Sequence, residues 1–256
     1  MTSGDVCNTA EALVVIVSFS GATLAQQAAE AARDQSIGTR VIVVDNGDNF
    51  PDTAGVLVVR PGRNLLWTPA INLAVAEHHR GERMLVWSND DVIPATDTVR
   101  RLAEILHDPR VGLVGPVGPH LGGPAWLEDS AHVSGGPTDR ERDSERIADR
   151  TPRDVAFVQG AFSATRADVW QTVGPLACDM PLGADDHDYC LRVRRAGYRI
   201  ALARNAYVWH HGHRSRDSHA WKESGAKSWA VFNDRWGGVM TAGEAEAHWG
   251  DLRWPR

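Results

Sequence analysis

The chain has 256 residues, of which 43% are hydrophobic and 23% charged, so its composition is that of a globular protein and excludes a disordered one. The net charge of −6 offers no basic surface to a phosphate backbone, and we predict no nucleic-acid partner. The longest apolar run covers residues 12–17, far short of the roughly 20 residues of a transmembrane helix. Because the three cysteines lie far apart and the first residues lack a basic start, the sequence predicts a cytoplasmic protein.

The first half of the chain alternates strands with helices. Apolar, mostly β-branched runs predict buried strands at 12–18, 40–47, 56–60, 83–88 and 111–116. Helices are predicted over 23–35, from an N-cap at Thr68 to about His79, and from a cap at Thr96 to near Asp108. This alternation predicts an α/β fold with a Rossmann-like, mostly parallel central sheet flanked by helices.

The second half of the chain breaks this alternation. Residues 136–154 are nearly all charged residues and turn formers, which predicts a solvated loop or a mobile lid. Further predicted elements are a strand at 154–160, helices around 165–173 and 186–196, and short strands at 198–203 and 206–210. The remaining segment is rich in Trp and forms a small C-terminal subregion.

Polar residues follow three of the predicted strands, at Ser18, at Asp45 and at 89–91. Ligands of such sheets bind where the carboxyl ends of the strands meet. The adjacent carboxylates of Asp90 and Asp91 repel each other unless a cation lies between them, and Mg2+ commonly joins one or two carboxylates to substrate phosphates. A simple turn after the strand explains these residues about as well.

Two further clusters carry chemistry. Three acids fall within residues 185–188, where one carboxylate could serve as a general base, although acids in a first helical turn also stabilise a helix. His210, His211 and His213 end the last predicted strand and suit a metal or phosphate contact, but no zinc motif accompanies them.

Several common motifs of α/β enzymes are missing from the sequence. The first strand is not followed by GxGxxG, and neither GxxxxGK[ST] nor GxSxG occurs. These absences argue against a dinucleotide-dependent dehydrogenase, a P-loop kinase and an α/β-hydrolase.

Seven segments occur in the order typical of one enzyme family: VVIVSFS, VVDNGDN, NLLWTPAIN, SNDDV, VQGAF, DDHDYCLRVRRAGYRI and VWHHGHRS. Over about residues 12–215 the chain thus resembles the family-2 glycosyltransferases of GT-A fold, and within them the rhamnosyltransferase-like branch. The resemblance implies inverting transfer of a hexosyl or deoxyhexosyl group from a nucleotide-diphosphate sugar to a hydroxyl-bearing acceptor. It implies Mn2+ or Mg2+ as cofactor, and it allows a homodimer.

The resemblance assigns five residues to the donor pocket. Ser18, Phe19 and Asp45 would line the nucleotide site, with Asp45 facing the base. Asn64 and Asn72 take the positions of two asparagines that help to bind the donor.

The resemblance also implies a metal site. Asn89, Asp90 and Asp91 stand at the metal motif, where Asn89 and Asp90 would contact the donor and Asp91 would lie closest to the ion. His210 matches the histidine that closes the metal–diphosphate site, and the choice between His210 and its neighbour His211 stays open.

Asp186 matches the catalytic base of the family, and Asp185 stands where that family usually has Glu. A second departure is Leu66-Trp67 in place of Gly-Phe, which bears on base and sugar specificity. We interpret 1–256 as one domain: a nucleotide-binding half over about 12–116, an acceptor and catalytic half over 117–215, and an extension over 216–256.

Two alternatives accompany this interpretation. A sugar-1-phosphate nucleotidyltransferase would need a Gly-rich, Arg-containing loop after the first strand, and GATLAQQ is not one. A non-catalytic nucleotide-sugar-binding protein of the same fold remains the main competitor, and slow metal-dependent hydrolysis of the donor would distinguish the enzyme from it.

Overall fold

The computed structural model describes residues 10–125, 136–212 and 219–250. Its strands are β1 Ala12–Ser18, β2 Thr39–Asp45, β3 Val56–Val59, β4 Met84–Asn89, β5 Val92–Pro94, β6 Val111–Val117, β7 Arg153–Val155, β8 Phe162–Arg166 and β9 Arg199–His210. Its helices are α1 Ala22–Arg33, α2 Thr68–His78, α3 Thr98–Leu106, α4 Arg140–Arg146, α5 Ala167–Val173, α6 Asp185–Arg195, α7 His219–Trp236 and α8 Ala242–Gly250. In these ranges no helix is long and apolar enough to cross a bilayer.

The strands form one nine-stranded sheet in the order β3-β2-β1-β4-β8-β6-β9-β5, with β7 beside β9. Strands β1 to β4, β6 and β9 share one direction, while β5, β7 and β8 run the opposite way. The α/β fold with a mostly parallel central sheet is therefore confirmed.

Both faces of the sheet are covered. Val14 and Ile16 of β1 join a core with α1 and α3, whereas Leu13 and Val15 join a second core with α2 and α6. Every residue of β1 is buried, as expected for an uninterrupted apolar run in a central parallel strand. A third cluster, which includes Leu191, Phe232 and Trp236, packs α7 against α6.

The charged segment at 136–154 is not the predicted solvated loop. It contains α4, and Asp143 and Ser144 of that helix are buried. The buried guanidinium of Arg101 donates to the Ser144 carbonyl (3.2 Å) and hydroxyl (3.1 Å). Polar contacts rather than an apolar stripe hold this helix, so hydrophobic periodicity gave no sign of it.

Four element boundaries also differ from the sequence prediction. The strand predicted at 154–160 is the short β7, and β8 starts only at Phe162. The following helix begins at Ala167 because Thr165 still belongs to the sheet, where its hydroxyl donates to the Gly112 carbonyl (2.6 Å). The two strands predicted at 198–203 and 206–210 are one continuous strand, β9.

The predicted caps at Thr68 and Thr96 are wrong. Thr68 is already the first residue of α2, and its hydroxyl donates to the Ala177 carbonyl (3.1 Å). The hydroxyl of Thr96 instead donates to Glu141 (3.0 Å), while α3 begins at Thr98. Both hydroxyls join distant segments, which local sequence could not reveal.

Candidate functional site

Three of the polar strand ends meet at one edge of the sheet. In the parallel register Ser18 lies opposite Asp45, and Val17 lies opposite Asn89. The backbone N–H of Phe19 donates to the Asp90 carboxylate at 3.4 Å, so the loop after β1 touches the loop after β4. The ring of Phe19 is exposed.

Asp91 and His210 meet across an antiparallel strand pair. Val92 of β5 lies opposite His210 of β9, which places the Asp91 Oδ1 atom 3.3 Å from the His210 Nε2 atom. The His210 Nδ1 atom lies 3.1 Å from the backbone carbonyl of His120. A carbonyl only accepts, so Nδ1 donates to it, and Nε2 is the ring nitrogen that faces Asp91.

Gly212 supports this arrangement from behind. Its φ of +64° lies in the left-handed region, and a Cβ atom there would stand 2.7 Å from the His120 Cβ. The close approach keeps the His120 carbonyl within reach of His210, so glycine is required here for two independent reasons.

The two neighbouring carboxylates differ in pKa. Burial and then the charge of the adjacent Asp91 raise the pKa of Asp90 to about 7, against the hydrogen bond from the Phe19 N–H. Burial also acts to raise the pKa of Asp91, but His210 and then His211 outweigh it and hold the pKa below its ordinary value. Asp91 is thus the carboxylate that stays ionised.

The Asp91–His210 pair fits a divalent cation that is shared with a substrate. Within the described ranges no three His, Cys, Asp or Glu side chains cluster tightly enough to enclose an ion by themselves. Mg2+ and similar ions typically take one or two carboxylates and complete their shell with substrate phosphates and water.

Asp186 lies in the first turn of α6 with both oxygens oriented by backbone N–H groups. Its Oδ1 accepts from His187 (2.9 Å) and its Oδ2 from Gly160 (3.2 Å), while 19% of the side chain stays exposed. Asp185 is buried behind it, and burial, followed by the charge of Asp186, raises its pKa well above the ordinary value. The partly exposed Asp186 is therefore the one placed to meet a ligand.

The segment at 160–161 connects the two acidic clusters. The backbone N–H of Asn89 donates to the Ala161 carbonyl (2.9 Å), and the next residue back, Gly160, donates to Asp186. A Cβ atom on Gly160 would stand 3.3 Å from the Asp186 Cβ. We did not select Gly160 from the sequence, although it lies in the VQGAF segment that carries part of the resemblance.

Asp45 is turned into its own loop. Its Oδ1 accepts from the backbone of Gly47 (3.3 Å) and Asn49 (3.2 Å), and its Oδ2 from Phe50 (2.9 Å). Since its side chain has no exposed surface, Asp45 as placed shapes the turn after β2 and turns no oxygen outward to a ligand.

The two predicted donor-binding asparagines also make contacts within the protein. The Asn64 side chain accepts from the Leu66 N–H (2.8 Å). The Asn72 amide exchanges two hydrogen bonds with Leu176 (2.8 and 3.1 Å), which ties α2 to the segment before α6. None of these hydrogen bonds brings Asn64 or Asn72 against the Asp91–His210 pair.

Leu66 holds a left-handed backbone, with φ +64°. Asn46 fixes this turn, since its side chain accepts from the Leu65 N–H (3.0 Å) and donates to the Leu66 carbonyl (3.1 Å). The Trp67 N–H then donates to Pro181 (2.9 Å), in the segment that leads into α6. The loop with the Leu-Trp departure therefore joins the end of β2 to the helix that carries Asp186.

Comparisons with known proteins identify the family of the chain. A family model described as "Glycosyltransferase like family 2" matches residues 8–236. Uncharacterized proteins of Mycobacterium tuberculosis and Mycobacterium bovis are each 27% identical over 192 residues, which is 71% of this chain and 67% of theirs.

Solved glycosyltransferases share the fold. A mannosyltransferase of Pyrobaculum calidifontis, in complex with GDP-Man and Mn2+, has a TM-score of 0.65 at 18% identity and matches 93% of this chain and 67% of its own. GalNAc-T7 with UDP, GalNAc and Mn2+ has 0.59 at 13% identity over 79% of this chain and 44% of its own. TarS of S. aureus has 0.56 at 10% identity over 92% of this chain and 45% of its own.

The family model covers most of the chain, and the mostly parallel, helix-flanked sheet is that of these GT-A enzymes. The chain belongs to the glycosyltransferase-like family 2.

Proposed function

We propose that the protein is an inverting glycosyltransferase that moves a sugar from a nucleotide-diphosphate sugar to a hydroxyl acceptor. Asp186 acts as the general base, and Asp91 and His210 hold Mn2+ or Mg2+ together with the diphosphate of the donor. The observation that carries the proposal is the Asp91–His210 pair, in which a carboxylate oxygen and a ring nitrogen face each other at 3.3 Å while the His120 carbonyl holds the other ring nitrogen. Two of the structurally similar glycosyltransferases are complexes with Mn2+ and a nucleotide or nucleotide sugar.

The reaction is a single displacement. An acceptor hydroxyl attacks the anomeric carbon as its proton passes to Asp186, and the bond from that carbon to the diphosphate breaks with its electrons, so that the configuration inverts. The N–H groups of Gly160 and His187 fix the carboxylate for this transfer. A bound divalent ion stabilises the charge that develops on the leaving diphosphate.

Asp185 assists by staying neutral. Its raised pKa favours the protonated acid, so a second negative charge does not accumulate beside Asp186. Ser18, Phe19, Asn89 and Asp90 line the same edge of the sheet and belong to the donor side, whereas Asp45, Asn64 and Asn72 act by shaping the loops around it.

We place the enzyme in the rhamnosyltransferase-like branch, with a hexosyl or deoxyhexosyl donor and a saccharide, natural product or lipid-linked acceptor. A cytoplasmic enzyme fits this assignment, since nucleotide sugars are its donors. The segments DDHDYCLRVRRAGYRI and VWHHGHRS support the branch.

The first test is a thermal-shift panel of nucleoside diphosphates and nucleotide sugars, with and without Mn2+. The panel compares wild type with Asp91→Asn, and with Asp168→Asn as a matched exposed control. We expect one nucleotide to raise the melting temperature only with Mn2+, equally in wild type and control and not in Asp91→Asn. A shift in melting temperature that needs neither Mn2+ nor the Asp91 carboxylate would contradict the proposed site.

Turnover separates the enzyme from a binding protein of the same fold. Slow Mn2+-dependent hydrolysis of the donor identified by the panel would support the transferase. Tight donor binding with no release of nucleoside diphosphate, with water or with any of a panel of hydroxyl acceptors, would favour the binding protein.

A further inference from the structure

The amide side chain of Gln159 joins the segment beside Asp186 to the loop that follows β6. Its Oε1 atom accepts a hydrogen bond from the backbone N–H of Gly122 at 2.6 Å. The next residue along the chain, Gly160, donates its own N–H to the Asp186 carboxylate at 3.2 Å. The resemblance to known glycosyltransferases assigned Gln159 no role.

The loop after β6 also supports the proposed metal site. His120 belongs to this loop, and its carbonyl lies 3.1 Å from the His210 Nδ1 atom. Gly118 holds the start of the loop against β9, because a Cβ atom there would overlap the Val208 carbonyl oxygen. Through Gly122, the Gln159 side chain is therefore fixed to the same loop that orients His210.

The backbone around Gln159 is fixed as well. Its carbonyl accepts from the hydroxyl of Ser163, a buried residue of β8, at 2.9 Å. Two residues further on, the Ala161 carbonyl accepts from the Asn89 N–H at 2.9 Å. The side chain thus starts from a backbone that is tied both to the sheet and to the metal motif.

The bond to Gly122 decides which way the amide is turned. A backbone N–H only donates, so the atom that faces it is the amide oxygen, and the Nε2 atom with its two N–H groups is the other end. A Cβ atom on Gly122 would stand 3.5–3.6 Å from the amide carbon, oxygen and nitrogen, so the whole amide lies against this glycine. Gln159 is partly exposed, and no group in the described ranges accepts from its Nε2.

This position matters because of the geometry of a single displacement. The acceptor hydroxyl and the leaving diphosphate lie on opposite sides of the anomeric carbon, so the transferred sugar must lie between the base and the metal site. Gln159 is connected to both sides, through Gly160 to Asp186 and through Gly122 to the loop of His120. Its N–H groups are available where the hydroxyl oxygens of that sugar can accept them.

We infer that Gln159 binds the sugar that is transferred. Its Nε2 donates to a hydroxyl oxygen of this sugar, while its Oε1 stays on Gly122. Since Gly122 already orients the amide, the contact costs little side-chain entropy. The inference rests on the proposed function, because it takes Asp186 and the Asp91–His210 pair as the two ends of the site.

A purely structural role of Gln159 has a different consequence. If the amide only held the loop of His120 in place, its loss would act through His210 on the diphosphate, which a nucleoside diphosphate and a nucleotide sugar share. A contact with the sugar affects the nucleotide sugar alone. The ratio of the two dissociation constants therefore separates the two roles.

The test compares Gln159→Glu with Gln159→Met. The glutamate keeps an oxygen for Gly122 but cannot donate from the other one when ionised, and the methionine keeps the length of the side chain and makes neither bond. Gln26→Met is the control, because the Gln26 amide is also partly exposed but donates to Glu30 within α1 at 3.1 Å. Calorimetric titrations with Mn2+ use the nucleotide sugar that the binding panel identifies and the corresponding nucleoside diphosphate.

We expect both Gln159 variants to lose affinity for the nucleotide sugar, relative to that for the nucleoside diphosphate, by about three- to tenfold, the size of one hydrogen bond. The added charge of Gln159→Glu cannot cause this, since it repels the more highly charged nucleoside diphosphate more strongly. Gln26→Met should keep the wild-type ratio. An unchanged ratio in folded Gln159→Glu and Gln159→Met would overturn the inference.

NMR of the side-chain amides of the wild type provides a measurement that needs no variant. We expect the Gln159 Nε2 signals to shift when the nucleotide sugar binds with Mn2+, well beyond their change with the nucleoside diphosphate. Equal changes with the two ligands would overturn the inference. If wild type binds neither ligand, or binds both without Mn2+ and equally well in Asp91→Asn, the proposed function is what fails.

Discussion

At the scale of single residues, the site depends on which atoms already have partners. His210 is fixed through its Nδ1 by the His120 carbonyl, and Asp186 is fixed through both oxygens by backbone N–H groups. Such contacts orient an acceptor atom before any ligand arrives, which lowers the cost of binding and of reaching the transition state.

Replacement of Asp186 by Asn separates base chemistry from donor binding. The amide has nearly the same size but cannot take a proton, so we expect kcat to fall by about 10²–10⁴ while the donor dissociation constant stays within a factor of about three. Turnover of the donor and calorimetric titration with it in the presence of Mn2+ measure the two effects. Full transfer activity in Asp186→Asn would remove Asp186 from the role of base.

Replacement of Gly212 tests whether its close contact with His120 keeps the His210 ring in place. Gly212→Ala would push against His120 and release the His210 ring, so we expect Mn2+ affinity to fall by about 10–100-fold, as for other lost supports of a metal ligand. Gly197→Ala is the control, since that glycine also has a positive φ but nothing lies near its missing Cβ. Equal Mn2+ affinity in both variants, measured by titration with the nucleoside diphosphate present, would argue against this support.

Leu66 stores backbone strain in the loop beside the site. A non-glycine residue in the left-handed region costs about 1–2 kcal/mol, and a β-branched residue costs more. We therefore expect Leu66→Val to lower the free energy of unfolding by more than about 1 kcal/mol and Leu66→Gly to change it little, because relief of strain offsets the lost side chain. Urea unfolding, with Leu65→Val as control, measures this, and a larger loss from Leu66→Gly than from Leu66→Val would contradict it.

At the scale of elements, helix α6 is the part to which the C-terminal helices attach. Asp188, fully buried, accepts from Arg192 (2.7 Å), from Arg235 (2.9 Å) and from the Trp236 indole (2.9 Å). The last two belong to α7. The third acid of the 185–188 cluster therefore holds two helices together, while its neighbour Asp186 faces outward.

Loss of this carboxylate should be costly. Asp188→Ala leaves two guanidinium groups and an indole N–H with no acceptor there, and we expect a loss of about 3–5 kcal/mol in the free energy of unfolding. Asp179→Ala removes the exposed partner of the same Arg235 and should cost at most about 1 kcal/mol. Denaturant unfolding of both variants measures the two losses in the free energy of unfolding. Similar losses would mean that α7 is held mainly by its apolar contacts.

At the scale of the whole molecule, the functional edge is assembled from distant parts of the chain. Strands β1, β4, β5 and β9 supply the proposed metal side, and the segment at 160–161 joins it to α6. The C-terminal helices pack behind α6 through Asp188 and His187, so the region after residue 219 supports the site from the inside.

This assembly makes stability depend on pH through His248. Its pKa is about 3 in the folded protein and near 6.5 when unfolded, so the unfolded chain binds one more proton between these values. The stability that the neutral ring contributes is complete above pH 6.5 and is lost as the pH falls, by about 1.4 kcal/mol per unit. The raised pKa of Asp90 has the opposite effect on stability. Between about pH 7 and 4 the folded protein binds the extra proton, so this carboxyl adds stability as the pH falls.

A variant separates the titration of His248 from the opposing effect of Asp90. His248→Gln has no such titration, so we expect wild type to lose stability relative to it as the pH falls from 7 to 4. Urea unfolding of both proteins at several pH values measures the difference. A constant difference across that range would show that His248 does not titrate with unfolding.

The sequence by itself determined the sheet and the positions of its polar ends. Uninterrupted apolar strands such as β1 predict burial on both faces, and in a parallel layer the residues that follow them, Ser18, Asp45 and Asn89, must emerge at one edge. The order of the motifs similarly led to the family. These features follow from periodicity and strand direction, which are local properties.

Only the tertiary structure decided which of the candidate side chains come together. The cross-strand register of β5 and β9 brings Asp91 to His210, and the packing of α8 brings His248 to His187. Contacts between distant elements also turned the Asn72 amide toward Leu176 and fixed the helix in the charged segment at 140–146 through Arg101. Each outcome depends on contacts between residues far apart in the chain, and burial of a polar group is set by those contacts rather than by its neighbours in sequence.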